Sequence, residues 1–204
     1  MTQATFWDGI APKYAKQPIK DLDAYEQTME RVRDYLSPND RVVELGCGTG
    51  ATALKLAPHA AHITGTDISP GMIAQANARL KGGENVSFRI ATPDALTDLA
   101  GKMDVVTAFN LIHLIPDTEA LVAQAATLLK PGGLFITKTP CLAHFNRLLM
   151  LAIPVMQLLG KAPYIKRLSI TELEGAITFE SFDIIETGSY PAKPPSRFIV
   201  ARKR

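Results

Sequence analysis

Glycines on alternate positions straight after an apolar run leave a chain few conformational options, and residues 42–50 read Val42-Val43-Glu44-Leu45-Gly46-Cys47-Gly48-Thr49-Gly50. The β-branched residues and leucine predict a buried strand, and the glycines predict a tight turn where backbone comes close to a ligand. After Gly50 the apolar residues Ala51, Ala53, Leu54, Leu56 and Ala57 fall at helical spacing, closed by Pro58. Strand, turn and helix suit a binding site, because a helix N-terminus offers unpaired N–H groups and glycine keeps side chains off them. A dinucleotide fingerprint spaces its glycines G-x-G-x-x-G to make room for a pyrophosphate. Here the spacing is G-x-G-x-G, with Glu44 two positions before the first glycine.

The run ELGCGTG resembles the first motif of the class I S-adenosylmethionine-dependent methyltransferases, an acid followed by three alternate glycines. The resemblance implies an α/β, three-layer Rossmann-like methyltransferase fold, with a mostly parallel seven-stranded sheet and an antiparallel C-terminal strand. It implies S-adenosylmethionine as cofactor, S-adenosylhomocysteine as product, and Glu44, Gly46, Gly48 and Gly50 as donor-binding positions. The second strand, over 63–67, ends in Asp67, about 20 residues past the turn, where a carboxylate can accept from two vicinal ribose hydroxyls. Ser69 is the better N-cap for a helix over 70–81, which leaves Asp67 to the ligand. TDISPGMIAQANARL is similar to the family's second block and sets Ile68 and Met72 beside the adenine.

Residues 86–91 alternate as a third strand, followed by Thr92-Pro93-Asp94 where the family carries Gly-Asp-Ala. Thr92 and Pro93 therefore take the adenine-side position, with the Thr92 hydroxyl as the hydrogen-bonding group. The fourth strand, over 104–110, ends in Phe109-Asn110, and LIHLIPD follows. In open parallel sheets ligands lie beyond strand C-terminal ends where the strand order reverses. Phe109, Asn110 and His113 are expected there, and His113 and His144 are the candidate bases should the acceptor need one; the plainer alternative for His113 is a packed histidine bonded to backbone. A helix over 118–130 stops at Pro131-Gly132-Gly133 and leads into a fifth strand over 134–139; LKPGGLF is a further family landmark.

At the N-terminus, FWDGIAPKYA resembles the cap that small-molecule methyltransferases fold over their donor, placing Tyr14 near its methionine end. An aromatic face there suits a sulfonium cation, while core packing is the equal alternative. Pro12 and Pro18 are expected to interrupt helix in this segment, and residues 19–36 form an amphipathic helix. Residues 140–161 are apolar almost all round, yet too short and too interrupted, by Pro154 and Gln157, for a membrane span. The resemblance makes 140–168 the variable acceptor-side insertion. Leu142–Leu159 then line a pocket for an apolar or lipid-like acceptor, and Arg147, Lys161, Lys166 and Arg167 suit a transient contact with an anionic membrane surface; burial in the core or in a homodimer contact stays open. Ser169 and Glu172 have capping-box spacing ahead of a helix over 169–179, and strands over 182–187 and 197–201 close the chain as an antiparallel hairpin.

The resemblance covers nearly all 204 residues as one domain, 1–204, with a cap over 1–36. A formal charge of +2 argues against nucleic acid as a partner. The two cysteines, Cys47 and Cys141, have no metal-ligand spacing, and no metal is expected. No signal segment is visible, so cytoplasm is the expected location. The function expected is methyl transfer from S-adenosylmethionine to a small-molecule acceptor. Two alternatives are carried: a non-catalytic S-adenosylmethionine-binding protein, and an NAD-dependent oxidoreductase, which the glycine spacing and C-terminal hairpin oppose.

Overall fold

The computed structural model describes residues 2–143, 154–158, 160–179 and 182–204. Seven strands form one sheet in the order β3-β2-β1-β4-β5-β7-β6. They are β1 (Arg41–Leu45), β2 (His62–Asp67), β3 (Val86–Ile90), β4 (Met103–Phe109), β5 (Leu129–Pro140), β6 (Phe182–Ser189) and β7 (Ser196–Lys203). The pairs β1–β2, β1–β4, β2–β3 and β4–β5 are parallel, and β7 runs antiparallel to both β5 and β6. The sheet is therefore mostly parallel with one reversed strand near its edge, the fold expected from the sequence.

The central strand β1 is buried on both faces, as its Val42-Val43-Glu44-Leu45 run requires. Val43 and Leu45 join a core with Val106, Ala108, Phe135 and Phe182, covered by α5 (Thr118–Leu128) and α6 (Ile170–Phe179). On the opposite face Val42, Ile63, Val105, Ile136 and Phe198 pack under α2 (Leu22–Arg33) and α3 (Ala51–Leu56). Pairing of Glu44 with Thr107 and of Phe109 with Lys138 puts Glu44, Phe109 and Lys138 on this second face, at its C-terminal margin. Ser69 caps α4 (Pro70–Asn77), its Oγ accepting from the Met72 N–H at 3.0 Å. The capping box of α6 forms in both directions: the Glu172 N–H donates to Ser169 Oγ, and the Ser169 N–H donates to Glu172 Oε2.

Two local expectations are corrected. Pro12 does not interrupt helix, because α1 (Gln3–Tyr14) runs through it. Placed in the last turn, Pro12 removes one backbone donor near the helix end, and the chain then closes with the Ala15 N–H on the Ala11 carbonyl. Pro131-Gly132-Gly133 does not separate helix from strand either. β5 begins at Leu129, paired with Met103, and a register shift between Met103 and Val105 absorbs the glycines, with Gly132 at φ +75°. The residues 144–153 and 159, with most of the apolar run, lie outside the described residues. Of that run Val155, Met156 and Leu158 are exposed.

Candidate active site

A cavity of about 700 Å³ opens beyond the C-terminal ends of β1, β2, β4 and β5. Here β1 is flanked by β2 on one side and β4 on the other, the reversal of strand order at which open α/β sheets bind ligands. The turn from Gly46 to Thr49 lines it, Asp67 and Ile68 flank that turn, and Trp7 and Tyr14 of α1 stand at its mouth.

Within the turn the glycines serve different purposes. Gly48 has φ +54°, and a Cβ built on it would meet no atom within 4 Å, so its missing side chain is space facing the cavity. Gly50, at φ +75°, is closed off: a Cβ there would stand 2.5 Å from Phe88 Cζ and 2.9 Å from Ala76 Cβ. It is the N-cap of α3 and is buried away from the cavity. Its requirement for glycine comes from the left-handed backbone and from packing.

Asp67 organises the turn through its carboxylate. The Gly48 N–H donates to Oδ2 at 3.0 Å and the Ser69 N–H to Oδ1 at 2.9 Å. Each oxygen keeps a lone pair, enough to accept from two vicinal hydroxyls. Burial raises the Asp67 pKa against the pull of those two bonds. Glu44 is more extreme, 3% exposed, with Oε2 lacking a hydrogen-bond partner among the described residues. Burial, then the charge of Asp67, pushes its pKa up to about 8. Burial also drives the Cys47 thiol upward, so it is inert as a nucleophile. No Lys or Arg forms an ion pair with Glu44 or Asp67 among the described residues. Two carboxyls without a protein cation make a site that gains from a positively charged ligand and opposes a pyrophosphate.

Helix α1 is held down over this site by a contact with no sequence signature. Asp8 Oδ1 accepts from Ser69 Oγ at 2.6 Å and from the Gly71 N–H at 2.8 Å, which holds the carboxyl below its usual range. Arg79 adds a bond to the Ala15 carbonyl at 2.9 Å. Trp7 and Tyr14 meet edge to face at 6.2 Å.

Of the sequence-predicted residues, Tyr14, Glu44, Gly46, Gly48, Asp67, Ile68, Met72, Pro93 and Asn110 line the cavity, the last with its backbone at φ 55°. Gly50, Thr92 and His113 do not. Thr92 is exposed at the start of a short 3-10 turn. His113 turns into the protein, where burial lowers its pKa to about 4 and Nδ1 finds no partner among the described residues. It stays neutral at physiological pH, and its carbonyl accepts from the Lys166 N–H at 2.7 Å. Lys138 and the prolines of the β6–β7 turn, Pro191, Pro194 and Pro195, also line the cavity and were not anticipated. A polar residue late in an apolar strand was the one available signal for Lys138. Among the described residues no group of three or more His, Cys, Asp or Glu could hold a metal, and no helix is long and apolar enough to cross a membrane.

Residues 43–135 match a family model described as a methyltransferase domain. The chain is 36% identical over 163 residues to a ubiquinone biosynthesis O-methyltransferase of Xylella fastidiosa, covering 78% of this chain and 65% of that one. It spans between 55% and 65% of the length of this relative and of a second from Xanthomonas axonopodis pv. citri. Among solved structures it resembles an S-adenosylmethionine-dependent methyltransferase from Mesorhizobium loti, with a TM-score of 0.73, 18% identity, and coverage of 88% of this chain and 98% of that one. The cyclase SpnF is equally similar in fold, with a TM-score of 0.73, 16% identity, and coverage of 98% and 94%. The shared fold thus does not choose the reaction by itself.

Proposed function

Because the chain belongs to the class I S-adenosylmethionine-dependent methyltransferases, we propose that it transfers a methyl group from S-adenosylmethionine to an oxygen of a small apolar acceptor. The observation that carries the reading is the pair of carboxyls, buried Glu44 and half-buried Asp67, that line the cavity beside the glycine turn without an ion-pair partner among the described residues. The donor supplies an ammonium and a sulfonium to such a site, and its ribose supplies the vicinal hydroxyls that the free lone pairs of Asp67 can hold. A nicotinamide dinucleotide would bring two phosphate charges to the same place, against the Asp67 carboxylate and with no protein cation paired there among the described residues to offset them. The open face at Gly48 leaves room for donor atoms against bare backbone.

The methyl acceptor side is apolar: Phe109, Leu111, Ile115, Pro140 and Leu142 wall the cavity beyond β4 and β5. With a sulfonium donor the electrophile is already activated, so the protein's work is to exclude water and to hold the acceptor oxygen in line with the S–CH₃ bond. The relatives named as O-methyltransferases of ubiquinone biosynthesis support oxygen as the methylated atom. Lipid-like character would come from 142–159, most of which lies outside the described residues.

Calorimetric titration tests the donor half. S-adenosylhomocysteine should bind the purified protein while NAD⁺ should not, and the reverse result would refute the proposal. Turnover is read as release of S-adenosylhomocysteine with a panel of phenolic and enolic acceptors. Binding without release across such a panel would favour the non-catalytic alternative.

A further inference from the structure

We propose that Lys138 holds the acceptor oxygen and takes its proton, so that the acceptor is an apolar molecule carrying an acidic hydroxyl, a phenol or an enol. The inference deepens the methyl-transfer reading above and rests on it. Lys138 lies on β5 and lines the same cavity as Glu44 and Asp67. It is one strand beyond β4 and two residues further along than the level of Glu44, since Glu44 pairs with Thr107 and Phe109 with Lys138. Two strand spacings across and two residues along separate them by roughly 12 Å. A donor gripped at the carboxyl end therefore leaves an acceptor-sized gap before Lys138, floored by Phe109.

The surroundings of this lysine lack what normally accompanies a half-buried cation. It forms no ion pair among the described residues, and its one acceptor there is the Ala24 carbonyl, at a long 3.4 Å. Proteins rarely bury lysine without a partner, and a ligand oxyanion would be one. The titratable groups that line the cavity with it are Lys20 and Asp21 ahead of α2, Tyr25 on α2 and Glu44 on β1, with Tyr14, Cys47, Asp67 and Arg79 on the donor side; of these Asp21 is the one whose charge acts on Lys138. Lys20 is exposed, and Asp21 is exposed and occupied in capping α2 through the Ala24 N–H. Tyr25 has its hydroxyl pKa raised, chiefly by burial, and is no base. Of the two histidines expected for the task, His113 does not line the cavity and His144 lies outside the described residues. Burial lowers the Lys138 pKa against the opposing charge of Asp21, which brings the neutral amine closer to use.

The step balances without a further reactant. Neutral Lys138 accepts the hydroxyl proton and becomes an ammonium paired with the oxyanion. An oxygen lone pair forms the O–CH₃ bond as the S–CH₃ bond breaks, and the electron pair of that bond stays on sulfur. The sulfonium becomes a neutral thioether, and the ammonium afterwards returns its proton to water.

Nitrocatechol is the probe, because its absorption distinguishes the anion from the neutral form. Added to wild-type protein saturated with S-adenosylhomocysteine, it should bind with the spectrum of the anion. Lys138→Met should weaken that binding about tenfold or more, the scale of one charge-assisted contact, while S-adenosylhomocysteine affinity and melting temperature stay unchanged. Lys138→Arg should retain anion binding yet lose methyl transfer to catechol, since a guanidinium cannot take the proton. Failure of wild-type protein to bind S-adenosylhomocysteine would overturn the methyl-transfer reading and this role with it. Donor binding with nitrocatechol unbound, or bound equally by Lys138→Met, would overturn the Lys138 assignment alone.

Discussion

Glu44→Gln should make the protein more stable at neutral pH while damaging donor binding. In the folded chain the Glu44 carboxyl titrates near 8, against an ordinary value of 4.5. Below 4.5 both folded and unfolded chains carry it protonated, and it has no effect on the balance. Between 4.5 and 8 the unfolded chain has released the proton and the folded chain has kept it, so stability falls as pH rises, and above 8 the loss is complete. At pH 7 the interval traversed is about 2.5 units, a penalty of about 3 kcal/mol at 1.36 kcal/mol per unit. Glutamine keeps the size and shape of the side chain but does not ionise, so this slope disappears. Urea unfolding at pH 5 and pH 7 reads the effect directly. Wild-type protein should lose about 2.5 kcal/mol more than the variant over that range, the remainder of the penalty being already present at pH 5. Calorimetry on the same samples checks donor binding: Glu44 is neutral in the folded chain at pH 7, so S-adenosylhomocysteine must displace its proton to gain a charge-assisted contact, and the variant, which cannot ionise, should bind it several-fold more weakly and without that proton release. Parallel stability curves for the two proteins would refute the assignment of a buried, uncompensated acid.

The glycines of the turn should separate in a pair of substitutions. Gly50→Ala adds a Cβ 2.5 Å from Phe88 Cζ in a left-handed conformation and should cost well over the ~1–2 kcal/mol of that backbone state, seen as a fall in urea midpoint. Gly48→Ala pays only the backbone term because its Cβ meets nothing, yet it should abolish donor binding by calorimetry; intact donor binding would argue that the donor lies elsewhere. Asp67→Ala should weaken S-adenosylhomocysteine tenfold to hundredfold, the value of about 1.5–3 kcal/mol for hydrogen bonds to a charge, and should also loosen the turn by freeing the Gly48 N–H. Asp8→Ala should accelerate amide exchange across Gln3–Tyr14 while leaving the sheet protected; unchanged exchange there would dismiss Asp8 as the tie that holds α1.

Much of this protein could be read from local pattern. β1, the glycine turn and α3 were legible because period and glycine placement are short-range properties, and the mostly parallel seven-stranded sheet followed from the resemblance. The carboxylate of Asp67 was legible through its spacing, since a strand C-terminus after a helix-length crossover lands beside the turn. What stayed hidden depends on long-range packing. Asp8 meets Ser69 and Gly71 across 61 and 63 residues of chain, and nothing around Asp8 announces it. Pro12 misled because its cost depends on where in the helix it falls, and the last turn tolerates it. Gly50 has the same composition signal as Gly48 but answers to Phe88, two strands away in the sheet. His113 is turned away from the cavity, and the residue that reaches it in its place, Lys138, sits among the buried residues Phe135, Ile136, Thr137 and Thr139 of its strand.

The reversed strand β7 has one more consequence. Because β6 runs with the parallel strands and β7 against them, the turn joining them, 190–195, emerges on the same rim as the glycine turn, and Pro191, Pro194 and Pro195 reach the cavity from it. The remainder of that rim is made by connections that must cross the sheet and pack a helix, so their lengths are constrained. A hairpin turn has no such duty: residues can be added or removed there while Ser189 still faces Arg197 and every other register survives. The chain thus has, opposite its donor-binding turn, a place where cavity shape can be retuned independently of the scaffold, and loop grafting for new acceptors would begin there.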